Sequence, residues 1–196
     1  MRNYEYILAS VPVIKSDTRS GLDFESVLAE IRENLDGSDL EMFETLADGF
    51  TGEKLDRDFY LKALKSPNPF IRSYFSFDLD VRNAKVEFIN KSLGRPEGTD
   101  ILVLDEDSER YFEDRDRVDE ILARKDLIER ERGLDGLMWE KIDSMTGLEV
   151  FTLEAILAYT AKLQIVTRRL KLDPDTGKEL FEKLVNEIRN NKKPIE

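Results

Sequence analysis

From Ser66 to Gly94 the chain reads SPNPFIRSYFSFDLDVRNAKVEFINKSLG, and its apolar positions recur with helical spacing. At 100° per residue, Phe70, Tyr74, Phe77, Val81, Ala84 and Phe88 fall on one stripe. A second stripe, about 140° around the axis, holds Ile71, Phe75, Leu79, Val86, Ile89 and Leu93. A surface helix needs only one such stripe. Two stripes predict partners on two sides, and so a central helix over residues 68–93. Pro67 and Pro69 suit its first turn, and Gly94 followed by Pro96 suits its end. Between the stripes lie Asp78, Arg82 and Lys85, with Asp78 and Arg82 spaced four apart as a pairing of opposite charges requires. Asp80, Asn83 and Glu87 share the remaining polar face.

The other segments are shorter. In MRNYEYILASVPVI, Tyr4, Tyr6 and Leu8 alternate with Glu5, Ile7 and Ala9, which fits a strand or a brief helix ending before Pro12. Residues 15–22 form a loop. Asp23 caps a helix carrying Phe24, Val27, Leu28 and Ile31 that stops near Gly37. Ser38 and Glu41 have capping-box spacing ahead of Met42, Phe43 and Leu46. A third short helix runs from Asp56 to Lys65, and all three read as antiparallel packing pieces for the central helix. After Gly94 comes a connection with a short apolar insert, Ile101 to Leu104. From Asp105 to Glu120 there are nine acids against three arginines. Sparse apolar residues there predict a solvated charged arm, with Gly133 and Gly136 marking a break before Trp139. Thr152 caps a helix to Leu170 with Ile156, Tyr159, Leu163, Val166 and Leu170 as its main stripe. A last helix, opened by Asp173-Pro174, places Leu180, Phe181, Leu184, Val185 and Ile188 at helical spacing. The fold class is all-α: a helical array around a long central helix. It divides into an N-terminal half (1–98), an acidic connection (99–135) and a C-terminal half (136–196) that packs back on the central helix.

Composition narrows the chemistry. The 196 residues suffice for one domain or two small ones, and 40% are hydrophobic. A net charge of −12 disfavours nucleic acid and anionic membrane surfaces as partners. With no cysteine and no histidine, the chain offers no disulfide, no thiolate site, no Ser-His-Asp triad and no imidazole base. No run approaches the length of a membrane span, so a cytoplasmic protein is expected.

Each candidate site has a plainer reading beside it. Asp80, Asn83 and Glu87 present oxygens on one helix face, as a magnesium site would, but no second acidic cluster at matching spacing faces them. A carboxylate-dependent metal enzyme using Asp80, Glu87 and the acidic arm is the alternative reading; a solvated face is the plainer one. DEDSERYFEDRD resembles a calcium loop at Asp105, Asp107 and Glu109, yet Arg110 occupies the glycine position and Asp116 the final glutamate position. That match fails. Asp78 and Arg82 read as a structural pair. Trp139, Tyr159, Lys162 and Arg168 combine residue types that dominate binding hot spots, or else form a core tryptophan under snorkelling cations. The residues alone indicate a helical, acidic, non-catalytic protein needing no cofactor.

Three segments carry a resemblance: NYEYILASVP, FDLDVRNAKVEFINKSLGRP and FTLEAILAYTAKLQIVTRRLKLDPDTGKELFEKLV. Together they resemble an uncharacterised bacterial family whose genes sit among those of V/A-type ATPases. DVRNAKVEFINKSLGRP is also similar to the D-x-x-N-x-k…l-r-x-k pattern of the C subunit of those ATPases, called d in eukaryotes. The C subunit is all-helical, built of internal repeats, and couples the central stalk to the membrane rotor ring. The resemblance implies that Asp80 and Asn83 fix helix packing, without catalysis. AYTAKLQIVTRR reads as a second, degenerate copy with Lys162 and Arg168 in its basic positions. The C subunit has three repeats, whereas this chain has room for two. A non-enzymatic ATPase subunit or assembly factor is therefore expected, acting in ion transport from the cytoplasmic side, peripheral to the inner membrane through the complex. A regulatory helical adaptor is the remaining alternative. Candidate partner-binding residues are Tyr4, Tyr6, Trp139, Lys162 and Arg168.

Overall fold

The computed structural model describes residues 3–18, 23–104 and 111–172. Among them are eight α-helices and no strand: α1 (Tyr4–Ser10), α2 (Phe24–Glu33), α3 (Gly37–Asp48), α4 (Arg57–Leu64), α5 (Pro69–Leu93), α6 (Arg115–Leu122), α7 (Leu127–Met145) and α8 (Leu153–Leu172). The described chain is all-helical. The helix expected from Asp173, part of the loop before Asp23 and residues 105–110 of the acidic run lie outside the described residues.

Short polar side chains start most of these helices by accepting otherwise orphaned backbone N–H groups. Asp23 accepts from Ser26, Asp56 from Phe59, and Asp126 from Ile128 and Glu129. Thr152 Oγ1 accepts from Ala155 at the head of α8. Asn68 accepts from Phe70 and Ile71, and Pro69 takes the first position of α5. At the far end Gly94 adopts φ 62° and bonds back to the last turn, a conformation that suits glycine. The period-two pattern at Tyr4–Leu8 resolves as helix: Ile7 turns inward, and the segment satisfies its backbone without a neighbouring strand. The Ser38–Glu41 box is not made. Gly37, at φ +51°, turns the chain into α3 two residues early, so Asp36 holds the cap position and Ser38 sits inside the first turn.

Two apolar clusters share α5. The larger joins α1, α2, α3, α4, α8 and the first half of α5 around Phe43, Leu46, Tyr60, Phe75, Ile156 and Leu163. The smaller joins α5, α6 and α7 through Phe77, Ala84, Val118, Ile121, Leu122, Leu134 and Leu137. α5 is central, as its two stripes predict, but only in part. Ile71, Phe75 and Leu79 of its second stripe are buried, whereas Ile89 and Leu93 are exposed.

A second hub replaces part of the expected plan. α8 is buried almost all round, through Leu157, Ala158, Ala161 and Ile165 as well as its predicted stripe. α1 and α2 consequently pack chiefly on α8, α3 touches both α8 and α5, and α4 packs on α5. The three inner helices have a definite sense. Asn68 at the start of α5 holds Glu154 at the start of α8 at 2.9 Å, so those two run in the same direction. Lys141 lies 5.1 Å from the Phe77 ring and Lys85 is 4.0 Å from Glu131, so α7 runs opposite to α5.

The charged arm departs from expectation as well. Residues 123–129 are exposed, but Val118, Ile121 and Leu122 are buried, because the few apolar residues of α6 lie on one stripe at helical spacing. Gly133 and Gly136 do not break the chain; both lie within α7. A Cβ on Gly133 would come within 2.8 Å of Ile121 Cγ2, so this glycine lets α6 and α7 approach closely. Gly133→Ala gains about 1 kcal/mol in helix propensity. The overpacking costs about 1–3 kcal/mol, and a net loss is expected. Thermal unfolding checks this: a variant at least as stable as the parent would mean that α6 shifts freely.

Candidate functional site

Of the polar residues that sequence singles out, Asp78, Arg82, Lys85 and Arg168 come within electrostatic reach of one another where α4, α5, α7 and α8 converge. Tyr60 of α4 is inaccessible to solvent and donates its hydroxyl to Asp78 Oδ2 of α5 at 2.6 Å. Asp78 thus takes its hydrogen bond from a residue 18 positions away, and Arg82 donates instead to the Leu55 carbonyl at 3.1 Å. Arg82 acts on Asp78 only through its charge. The expected Asp78–Arg82 pair is corrected accordingly: a rigid tyrosine hydroxyl enters the buried site, while the guanidinium reaches an unpaired carbonyl near the surface. Burial pushes the Asp78 carboxyl up; the Tyr60 hydroxyl and the charges of Arg82, Lys85 and Arg168 pull it back. Burial also pushes up the Tyr60 and Tyr74 phenols, with the nearby Asp78 charge adding to it.

A second acid lies across the junction. Asp135 of α7 is buried and receives Arg168 of α8, whose other carboxylate neighbour is Glu131 at 3.6 Å. Burial raises the Asp135 carboxyl, and the Arg168 charge and hydrogen bond oppose that rise. Glu131 is also 4.0 Å from Lys85. The result is a polar seam, paired within itself, that ties three helices together.

The candidate contact residues separate into two groups. On the α7–α8 face, the Lys162 ammonium lies 5.0 Å from the Trp139 ring centre and pairs with Asp143, and Arg168 continues the same ladder. Trp139 is half-buried under that cation, with one edge against the large core. Tyr159 is not part of this face; its hydroxyl donates to the Pro12 carbonyl at 2.8 Å, holding the end of α1. Tyr4 donates to the buried Asp39, whereas Tyr6 is 54% exposed.

Asp80, Asn83 and Glu87 face three different neighbours. Asp80 lines an open cleft of about 260 Å³ with Ser73, Ser76, Phe112 and Lys141. Asn83 clasps the returning chain in both directions, donating to the Leu102 carbonyl at 3.0 Å and accepting from the Leu102 N–H at 3.1 Å. Glu87 accepts from Arg115 of α6 at 2.5 Å. Among the described residues, no group of three or more acids is placed to hold a metal ion. No described helix is long and apolar enough to cross a membrane.

Sequence reasoning passed over three features. Asn90, buried and seven residues beyond Asn83, donates to the Thr99 carbonyl at 2.6 Å and extends the same clasp. The i, i+7 spacing of the two asparagines was a readable signal. Asp135 was hidden inside a charged stretch. Leu148, Val150 and Phe151, in the turn between α7 and α8, are exposed large apolar residues that no periodicity marks.

No curated protein and no solved structure matches the chain. A family model does, over residues 44–192, from α3 past the end of α8, and its description is "Protein of unknown function (DUF2764)". The match spans most of the chain, and the protein belongs to the DUF2764 family.

Proposed function

We propose that this chain is a non-enzymatic helical component or assembly factor of a bacterial V/A-type ATPase, docking central stalk and rotor ring in the manner of the C subunit. The observation that carries the reading is the clasp of Asn83 on Leu102. The resemblance of DVRNAKVEFINKSLGRP to the C subunit pattern assigns Asp80 and Asn83 to a structural role, and the way Asn83 ties α5 to the returning connection at Leu102 supports that reading. α5 and α8 offer further support. They carry the two segments read as copies of one motif, they run in the same direction, and the other helices gather around them. The protein works by shape and charge from the cytoplasmic side of the inner membrane. Tyr6, Trp139, Lys162, Arg168 and the exposed Leu148–Phe151 turn supply contact groups, since aromatic and arginine anchors dominate interface energies.

The test is affinity purification of the tagged protein from its source organism, followed by identification of what accompanies it. The ATPase subunits should co-purify. Deleting the gene should uncouple ATP hydrolysis from ion pumping, while the detached catalytic head goes on hydrolysing ATP. Purified complexes lacking the protein, together with intact pumping in the deletion strain, would overturn the reading.

A further inference from the structure

Residues 101–104 return along α5 as a strip that carries neither helix nor strand, held by its main chain to side chains of two helices. Asn83 of α5 both donates to the Leu102 carbonyl and accepts from the Leu102 N–H. One residue offers both groups to a single neighbour where its backbone is extended, as in a hydrogen-bonded strand pair, so the Asn83 amide stands in for a strand edge. Arg57 of α4 forks onto the next two carbonyls, Val103 at 2.5 Å and Leu104 at 3.4 Å. Among the described residues, no backbone group pairs with residues 102–104. The side chains alternate as a strand's do: Leu102 and Leu104 rest on the large core, while Val103 between them is 49% exposed.

A peptide groove reads its ligand in this way: main-chain bonds supply affinity whatever the sequence, and pockets for alternate side chains supply selectivity. The walls do not need the strip, because α4 and α5 are joined directly by the Tyr60–Asp78 hydrogen bond and by Phe59 and Tyr60 against Phe75. The chain also enters the strip strained, with Asp100 at φ 60°, a region that residues other than glycine use sparsely. We propose that the α4–α5 face is a peptide-binding groove, filled at rest by the chain's own residues 101–104 and open in their place to an extended Leu-x-Leu segment of a partner protein. Tethering gives the internal strip an effective concentration of about millimolar. A loose peptide of equal affinity therefore loses to it, and only a better-anchored partner enters. The groove is the same whichever complex the chain serves, so its test stands apart from co-purification with the ATPase.

The test uses the full chain and a fluorescein-labelled peptide copying residues 99–104. Leu102→Ser with Leu104→Ser weakens the internal strip. That variant should bind the peptide roughly tenfold or more tightly than the parent, whose groove is mostly filled. Adding Asn83→Ala should abolish the gain. No binding to the double variant, or binding that ignores Asn83, overturns the proposal. Hydrogen exchange on the parent covers the case in which the double variant unfolds. The Leu102 N–H, held by Asn83, should exchange roughly a hundredfold faster than the Phe75 N–H, through an opening that leaves the bundle folded. Exchange of Leu102 only by global unfolding makes the strip a fixed part of the fold and overturns the proposal too. Self-association of the parent that Asn83→Ala abolishes would put a second copy's strip in the groove and overturn the assignment to a partner.

Discussion

Phe75→Ala should cost about 3–5 kcal/mol of stability, a large share of the roughly 5–15 kcal/mol that holds an ordinary domain together. Phe75 is inaccessible to solvent, with the rings of Phe59, Tyr74 and Tyr60 centred 4.9, 5.1 and 6.4 Å away in edge-on arrangements. Gly49 closes the other side: a Cβ there would run into the Phe75 ring. With rigid aromatics around it and backbone against it, the space left by the ring cannot collapse, and the full cavity cost should appear. Urea unfolding of parent and variant measures it. A loss below about 1 kcal/mol would mean that α3, α4 and α5 do not pack around this ring as described.

The second large effect concerns Tyr60 and Asp78. Tyr60→Phe removes the hydroxyl donor from a buried carboxyl without changing the packing, and should cost about 1–3 kcal/mol. Asp78→Asn keeps an acceptor for Tyr60 while deleting the buried charge, so at neutral pH it should be neutral or stabilising. The pH dependence has a definite sign. Burial holds the Asp78 carboxyl above its ordinary range, so the folded chain binds that proton more tightly than the unfolded chain. Its contribution to stability is therefore lost as pH rises from the ordinary carboxylate range through the folded value, and is flat above it. The advantage of Asp78→Asn over the parent should grow across that window and then level off. Unfolding free energies of both chains, compared at each pH, cancel the behaviour of the other carboxylates. An advantage that shrinks with rising pH would refute the burial argument.

What could be read in advance was local. The bounds of α5 follow from Pro67, Pro69 and Gly94, and the starts of α2, α4 and α8 from Asp23, Asp56 and Thr152, because such signals act within a few residues of themselves. What escaped depends on distant partners. Gly133 looks like a helix breaker until Ile121 is placed beside it. Asp78 has an obvious neighbour four residues on, but burial selects Tyr60 instead. α8 looks one-sided because Thr160 counts as polar; its hydroxyl returns to the Ile156 carbonyl at 2.8 Å, which lets it sit in the core. The candidate site was legible as residue types and not as an assembly. Arg168 was singled out, but Asp135 and Glu131, which receive it, were lost among like charges.

The position of α8 as a late hub has a consequence for how the protein is made. α1 and α2 pack on a helix that begins only at Leu153, and Tyr159 holds the Pro12 carbonyl across 147 residues of chain. On the ribosome, the N-terminal helices wait on the order of ten seconds for that partner to be synthesised. During the same interval the neighbouring segments α4, α5, α6 and α7 can assemble from contacts close in sequence. The middle of the molecule can therefore assemble before its beginning, which docks only together with the late-made α8.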